Sequence, residues 1–431
     1  MTVGTHPLTL DDINLSDLAF WEQPPAYRQQ AFAILRAQPR PVFFTEAKIP
    51  FIRKGPGYHA LVRHADVTEA SRNPTVFSSE PCSNYIPDLP GYLARYFGSI
   101  LNMDDPRHGR IRRIVSRAFT PRVLAKMESD LQTSAGRIVD DLIATGPCDF
   151  VTNVAARLPV QVICDMMGVP EDRREMVFHH TNVILGSGDA EYTGLTSDTS
   201  HWQMARALGK LVQVGHELHR LAMSLGRDRR RAAAAGGPAA DLTSALVTAN
   251  VDGEQLTDQE LGSFFILLLV AGNETTRNAI AHGLKMLTDN PDQRALLLED
   301  FDARIGDALE EIVRLAAPVI YFRRTLSRDF ELNGFPLKAG GKVLLFYNSA
   351  NRDEAVFDRP DEFDITRAEN PHVAFGGPGP HFCLGSHLAR REMTVMFREL
   401  LTRVPMIQAS GEPDRLRSNM INGIKHMGCA F

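Results

Sequence analysis

The feature that most restricts how this chain can fold is a single long helical segment near its middle. Thr257-Asp258-Gln259-Glu260 has the spacing of a capping box, in which the threonine hydroxyl and the glutamate carboxylate satisfy each other's backbone N–H groups. Helical periodicity then continues to about Asp289, where Pro291 stops it, because proline has no N–H to donate. A helix of some thirty residues is about 45 Å long and crosses a whole domain, so the other elements must be arranged around it. Its run Phe264 to Ala271 is apolar throughout, yet falls well short of the roughly twenty residues that span a bilayer, so it reads as a buried helix segment. In the middle stands Ala271-Gly272-Asn273-Glu274-Thr275-Thr276. Small residues at 271 and 272 let a flat ligand lie against the helix, and a threonine hydroxyl can bond back to a preceding carbonyl and open the ladder locally. An opened turn beside an acid and a hydroxyl can hold water and pass protons. Taken alone, the stretch reads first as a buried turn with a capped glutamate.

The remaining pattern is mainly α with small β-sheets. Apolar residues recur at three- and four-residue spacing from about Ser116 to Ile143, Pro159 to Met167, His201 to Leu225 and Asp241 to Asn250, and Pro170, Pro318 and Pro405 mark ends. Residues 41–63 alternate in a way that suggests a small sheet, and Thr325 to Phe346 does so around the hairpin signal Asn333-Gly334. Arg227 to Arg231, ahead of Ala232 to Ala240, reads as a solvated loop between helices. With 431 residues, 44% hydrophobic and 23% charged, the chain can bury a large core. It shows no internal repeat or convincing linker, so residues 1–431 are expected to form a single domain. A net charge of −5 argues against a nucleic-acid surface. Cys82, Cys148, Cys164, Cys383 and Cys429 form no CxxC pair, which points away from disulfides and zinc and towards a reducing cytoplasm. Met1 to Leu10 lacks a basic region followed by an apolar one, so neither a signal peptide nor a membrane anchor is expected.

Chemistry concentrates around Cys383, in Phe375-Gly376-Gly377-Pro378-Gly379-Pro380-His381-Phe382-Cys383-Leu384-Gly385-Ser386. A lone cysteine between a glycine-rich loop and the start of an apolar-periodic helix suits an axial haem ligand. The glycines let backbone approach a flat ring, and the first N–H groups of the helix favour a thiolate. A cysteine bound to iron is deprotonated and pushes electron density onto the metal. The run resembles the haem-binding signature of the cytochrome P-450 (haem-thiolate monooxygenase) superfamily, with Phe375, Gly379, His381, Cys383 and Gly385 in its slots. Phe375 lies eight positions before Cys383 where the commonest spelling has seven, a longer loop associated with a bacterial branch acting on methyl-branched lipids and sterol side chains.

The resemblance covers the chain from about Asp17 to Phe431 and implies the cytochrome P-450 fold, with haem b between the long helix and the cysteine loop. It implies that Ala271, Gly272, Phe375, Gly376 and Gly385 lie against the haem, that Thr275 organises proton-delivering water, and that Glu274 relays protons from solvent. Glu311 and Arg314, a helical i, i+3 pair, match its Glu-x-x-Arg motif and imply a buried triad with Arg367 that braces the haem pocket. His108 and Arg112 share a helix face and, with Arg324 and His381, match positions that bind the haem propionates. Arg110, Arg113 and Arg117 lie on another face of that helix and could receive an acidic electron donor or be an ordinary solvated face.

The chain has no dinucleotide fingerprint after a strand and no fused reductase segment, so electrons must come from another protein. The resemblance implies a ferredoxin and ferredoxin reductase, with NAD(P)H acting only indirectly and O2 as co-substrate. It also implies hydroxylation of an aliphatic lipid, chiefly at the terminal methyl of branched fatty acids or isoprenoids. Ile100, Leu101, Val270, Val319 and Met420 would line that pocket, and the segments Cys82 to Ile100 and Thr181 to His201 would set specificity as loops. The alternatives are a sterol side-chain or terpenoid hydroxylase, a peroxygenase, and a non-catalytic haem sensor. Retention of the Glu274 and Thr275 pair speaks against the last two.

Overall fold

The computed structural model describes residues 7–116, 119, 127–195, 200–238, 241–249 and 255–431. Its axis is the helix Asp258–Asp289, whose capping box forms as the sequence predicts: Thr257 Oγ1 accepts from the Glu260 N–H and Glu260 accepts from the Thr257 N–H at 2.9 Å. This central helix is buried on nearly every side, packed among the helices Arg157–Met167, His201–Ala234, Phe301–Ala316 and Ser386–Arg403. Pro291 ends it and occupies the first position of the next helix, Pro291–Glu299, where its missing N–H costs nothing.

Two expectations about helices change. The helix His201–Ala234 runs straight through Arg227–Arg231. Arginine and alanine are strong helix formers, Arg229 pairs with Asp241 at 2.6 Å, and neither glycine nor proline occurs from Arg227 until Gly236-Gly237-Pro238. The pattern expected as one helix from Ser116 to Ile143 is instead the end of Arg107–Ser116 and a separate helix, Glu128–Thr145. The segment Cys82 to Ile100 contains a short helix, Gly91–Phe97, packed on the central helix, and residues Thr181 to Leu185 end the helix Glu171–Leu185.

The larger sheet has the order β1 (Val42–Phe44), β2 (Tyr58–Leu61), β7 (Lys342–Phe346), β4 (Tyr321–Leu326), β3 (Phe77–Ser78). β2 and β7 are parallel and the other neighbours antiparallel, with Arg324 opposite Val343. Strands β5 (Phe330–Leu332) and β6 (Phe335–Leu337) pair around Asn333 and Gly334, at φ 47° and 81°. Two successive positive φ values are what a tight two-residue hairpin needs, and asparagine and glycine supply them. Strands β8 (Gln408–Arg415) and β9 (Ile424–Ala430) form the last pair. One apolar core surrounds the central helix, and a second, rich in aromatics, joins Trp21, Phe32 and Phe346. Among the described residues no helix is long and apolar enough to cross a membrane.

Candidate active site

The cysteine loop is shaped by its glycines. Gly376, Gly377 and Gly379 take φ values of 99°, 62° and 150°, and a Cβ on Gly379 would stand 2.2 Å from the Ser71 carbonyl. The Cys383 N–H closes the loop by donating to the Phe375 carbonyl at 2.8 Å, and Arg390 lies 4.3 Å over the Phe375 ring. Cys383 thereby sits at the wall of an interior cavity. Burial pushes its thiol pKa up, while the Gly385 and Ser386 N–H groups, Arg112 and Arg390 pull it down. The helix start favours the thiolate as the sequence suggests, desolvation opposes it, and a bound metal would hold the sulfur deprotonated.

The opposite wall is one stripe of the central helix: Phe264, Leu267, Leu268, Ala271, Gly272, Thr275, Thr276 and Ala279. Their three- and four-residue spacing puts them on a single face. Thr275 Oγ1 donates to the Ala271 carbonyl at 2.7 Å. The helix nevertheless stays α-helical through this turn, so the locally opened ladder expected from the sequence is not seen. With its proton committed to a carbonyl, the hydroxyl presents only acceptor lone pairs to the cavity.

Glu274, one residue earlier and about 100° away around the helix, does not line the cavity. It is buried, ion-paired to Arg277 and accepts from Asn278 Nδ2 at 3.2 Å, leaving Oε2 without a partner. Arg277 in turn donates to Asn182 Oδ1 at 2.9 Å, and burial brings its pKa down to about 10. The expected contact of Glu274 with solvent is therefore replaced by this polar cluster. Arg277, missed in the sequence, was signalled by its i, i+3 spacing from Glu274.

Basic groups gather at one edge of the cavity. His108, Arg112 and His381 line it, and Arg324 stands buried behind His381. The rings of His108 and His381 lie 4.1 Å apart, His381 Nε2 is 3.0 Å from Ser79 Oγ, and Arg112 donates to the Phe382 carbonyl at 2.6 Å. Burial, followed by Arg324, His108 and Arg112, drives the His381 pKa down to about 2. Among the described residues neither Arg112 nor Arg324 has a carboxylate within ion-pair distance, and His108 has only Asp105 at 3.7 Å. Two guanidinium groups without an ion-paired carboxylate, beside two neutral imidazoles that can donate N–H, suit a ligand with two carboxylates. A Cβ on Gly385 would meet no protein atom within 4 Å although Gly385 lines the cavity. The donor set thus fits haem: thiolate, propionate partners and an apolar helix face.

Of the expected pocket residues, Ile100, Leu101 and Val319 line the cavity. Val270 and Met420 do not. Val270 is out of phase with the cavity stripe and packs into the helical core, while Met420 packs against the aromatic N-terminal core. Phe264, Leu267 and Leu268 supply apolar surface there instead. Glu311, Arg314 and Arg367 come together: Arg314 reaches Glu311 through two 2.7 Å bonds and Arg367 approaches it at 3.4 Å, with Glu311 and Arg314 fully buried. Arg110 is turned inward to Glu260, and the side chain of Arg113 is exposed. Arg117 lies outside the described residues. Sequence reading also missed Glu392, on the cavity wall in the helix after Cys383. It is buried, its Oε2 lacks a partner, and desolvation raises its pKa well above the usual carboxylate range. A single acid in an amphipathic helix gives no sign of this.

Comparison with known proteins agrees with the geometry. A cytochrome P450 family profile matches residues 87–423. The chain is 47% identical over 427 residues to a methyl-branched lipid omega-hydroxylase of Mycobacterium tuberculosis, covering 98% of this chain and 96% of that protein. It is 40% identical over 375 residues to a steroid C26-monooxygenase of Mycolicibacterium smegmatis, covering 86% and 82%. A Mycobacterium marinum cytochrome P450 solved in complex with pseudoionone superposes with a TM-score of 0.90 at 42% identity, covering 99% of this chain and all of that one. With a cysteine loop, a helical wall and a cationic edge enclosing one cavity, the chain belongs to the cytochrome P450 family and is a haem-dependent monooxygenase.

Proposed function

We propose that this P450 hydroxylates the terminal methyl carbon of a methyl-branched aliphatic lipid. The observation that carries this reading is the 47% identity, sustained over 98% of the chain, to a methyl-branched lipid omega-hydroxylase. The cavity is compatible: Phe264, Leu267, Leu268, Ile100 and Val319 offer a hydrocarbon chain a desolvated apolar wall. A terminal C–H bond is stronger than its tertiary neighbour, so the substrate has to be held end-on by its surroundings.

In this reading Cys383 ligates haem b, and His108, Arg112, Arg324 and His381 hold its propionates. Haem held there supplies activation of dioxygen, one atom entering the C–H bond and the other leaving as water with two electrons and two protons. Thr275 accepts a hydrogen bond from water in the cavity, since its own proton is given to Ala271. Glu274 passes protons from the side of Arg277. Electrons come from a ferredoxin and its reductase, consistent with the lack of a dinucleotide fingerprint in the chain, and Arg113 belongs to the docking face. The cytoplasm is the compartment that fits free thiols.

The 40% identity to a steroid C26-monooxygenase supports a second substrate with the same reacting group, the terminal methyl of a branched sterol side chain. The test is a product assay with a surrogate ferredoxin system, offering a methyl-branched fatty acid, a straight-chain fatty acid and a sterol enone. Terminal hydroxylation of the branched acid is expected to be fastest. Faster turnover of the sterol would transfer the assignment to the second substrate, and oxidation at the tertiary carbon would refute end-on binding.

A further inference from the structure

A second polar cleft, of about 710 Å3, lies where the central helix ends, between the helix Pro25–Arg36, the start of Pro291–Glu299 and strand β8. It shares no lining residue with the cavity of Cys383. Arg28, Arg352, Arg415 and His282 line it. Arg352 pairs with Asp361 at 3.1 Å, and the wall residues Lys285 and Asp289 pair with each other at 2.6 Å. Glu362 is engaged by Arg359 at 2.7 Å, and Asp292 lies in the first turn of its helix, where the dipole favours an acid.

Two guanidinium groups remain. Neither Arg28 nor Arg415 makes a side-chain hydrogen bond or ion pair among the described residues, and Arg28 Nε is buried without a partner. The strongest charges acting on Arg28 are Arg415 and Arg352, both repulsive, and with burial they bring its pKa down to about 10. The same three arginines act on His282, which is buried and whose pKa burial and these charges lower to about 3. Withdrawing an unpaired charge from water is costly, and here two half-buried guanidinium groups face one cleft, with Glu412 the one acid acting on Arg415.

We propose that this cleft is a binding site for a phosphate-class dianion, with Arg28 and Arg415 supplying the two matching charges. The proposal does not depend on the substrate of the haem cavity. Guanidinium groups present paired N–H donors that fit phosphate oxygens, and a monovalent halide or carboxylate would leave one of the two charges uncompensated. The cleft is large enough for an organic group on the phosphate, so both inorganic phosphate and a phosphomonoester fit its chemistry.

The test uses the holoenzyme, freed of phosphate by dialysis and titrated calorimetrically at constant ionic strength with inorganic phosphate, glycerol 3-phosphate, chloride and acetate. Saturable binding of either phosphate, at least tenfold tighter than chloride or acetate, is expected, and the tighter of the two identifies the source. Arg28→Gln and Arg415→Gln should each weaken that binding at least tenfold. Both variants should also melt at or above the temperature of the phosphate-free parent, because a repulsion has been relieved, and their haem absorption should be unchanged. Equal response to chloride, phosphate binding that survives both substitutions, or variants that melt lower than the phosphate-free parent would overturn the proposal.

Discussion

Glu311→Met perturbs the buried triad most directly. Glu311 accepts from Arg314 Nε and Nη2 at 2.7 Å, from the Asp364 N–H at 3.1 Å and from Asn370 Nδ2 at 3.1 Å, and Arg367 stands at 3.4 Å. Removing the carboxylate leaves the Arg314 guanidinium, equally buried, facing only the carbonyls of Asn351 and Pro360 at 2.7 Å and Glu362 at 3.1 Å. Deleting one partner of a buried pair costs about 3 to 5 kcal/mol, and the net stability of a domain is about 5 to 15 kcal/mol. The single substitution should therefore remove about a fifth or more of the stability. Arg314→Met should cost a similar amount, since it strands Glu311 and three carbonyls. In the double variant neither Glu311 nor Arg314 is stranded, but Arg367 loses its carboxylate and keeps only the carbonyls of Asp358, Arg359 and Glu362, so the cost should exceed one single change yet stay below their sum, a coupling of about 2 to 3 kcal/mol. Urea unfolding of the haem-loaded protein, followed by the fluorescence of Trp21 and Trp202, measures all three. If Glu311→Met fails to accumulate, its rescue by Arg314→Met in the same chain reads the same coupling. Additive losses, or a single cost below about 1 kcal/mol, would refute the view that the pair stands as one buried electrostatic unit.

Thr275→Ala removes the acceptor that Oγ1 presents to the cavity and should leave the substrate-induced haem spectral change intact while raising peroxide release per reductant consumed several-fold; unchanged coupling would refute its role in proton delivery. His282 sets an acid limit on stability. Its native pKa is lowered to about 3 from an unfolded value of about 6.5, so below that value the unfolded chain binds a proton that the native one does not. Its contribution is whole above pH 6.5 and is lost as pH falls towards 3, by about 1.4 kcal/mol per pH unit. In phosphate-free buffer His282→Gln should flatten the fall in urea midpoint between pH 6 and 4, and an unaltered slope would refute the assignment.

What was legible in the sequence was what local backbone chemistry decides. The Thr257–Glu260 capping box and Pro291 bounded the central helix, and Asn333-Gly334 fixed a hairpin, because each acts through φ, ψ or a missing N–H within a few residues. Clustered charge at Arg227–Arg231 suggests a solvated loop, but arginine favours helix and Asp241 reaches back to pair with Arg229. The cavity stripe was only half legible. Ala271, Gly272 and Thr275 followed from helical phase, but Val270 was placed with them although it is turned about 100° away. Arg110 could not be read as inward-facing, because Glu260 lies 150 residues further along the chain. Glu392 was invisible for the same reason: only tertiary packing shows that an acid in an amphipathic helix has lost its water.

Internal cations are satisfied in more than one way in this molecule, Arg294 by the carbonyls of Ile407 and Pro405. Arg36, Arg323 and Lys342 are buried and each meets a carboxylate at 2.6 or 2.7 Å, Glu354, Asp88 and Glu46 in turn, which is how a fold tolerates internal charge. Arg112 and Arg324 break that pattern at the edge of the cysteine cavity, where the family supplies the reason: a cofactor with two carboxylates. Arg28 and Arg415, half-buried, lack an ion-paired carboxylate at the end of the central helix, where the fold supplies only the nearby charge of Glu412. Uncompensated charge lowers stability at both places, so each is explained by a ligand that brings the missing anion. At the first, loading with haem should raise the melting temperature, and Arg112→Gln should reduce that gain without lowering the stability of the haem-free protein. If haem-free Arg112→Gln is instead less stable than its parent, Arg112 is a structural residue, and unpaired arginines lose their value as markers of anion sites in this chain.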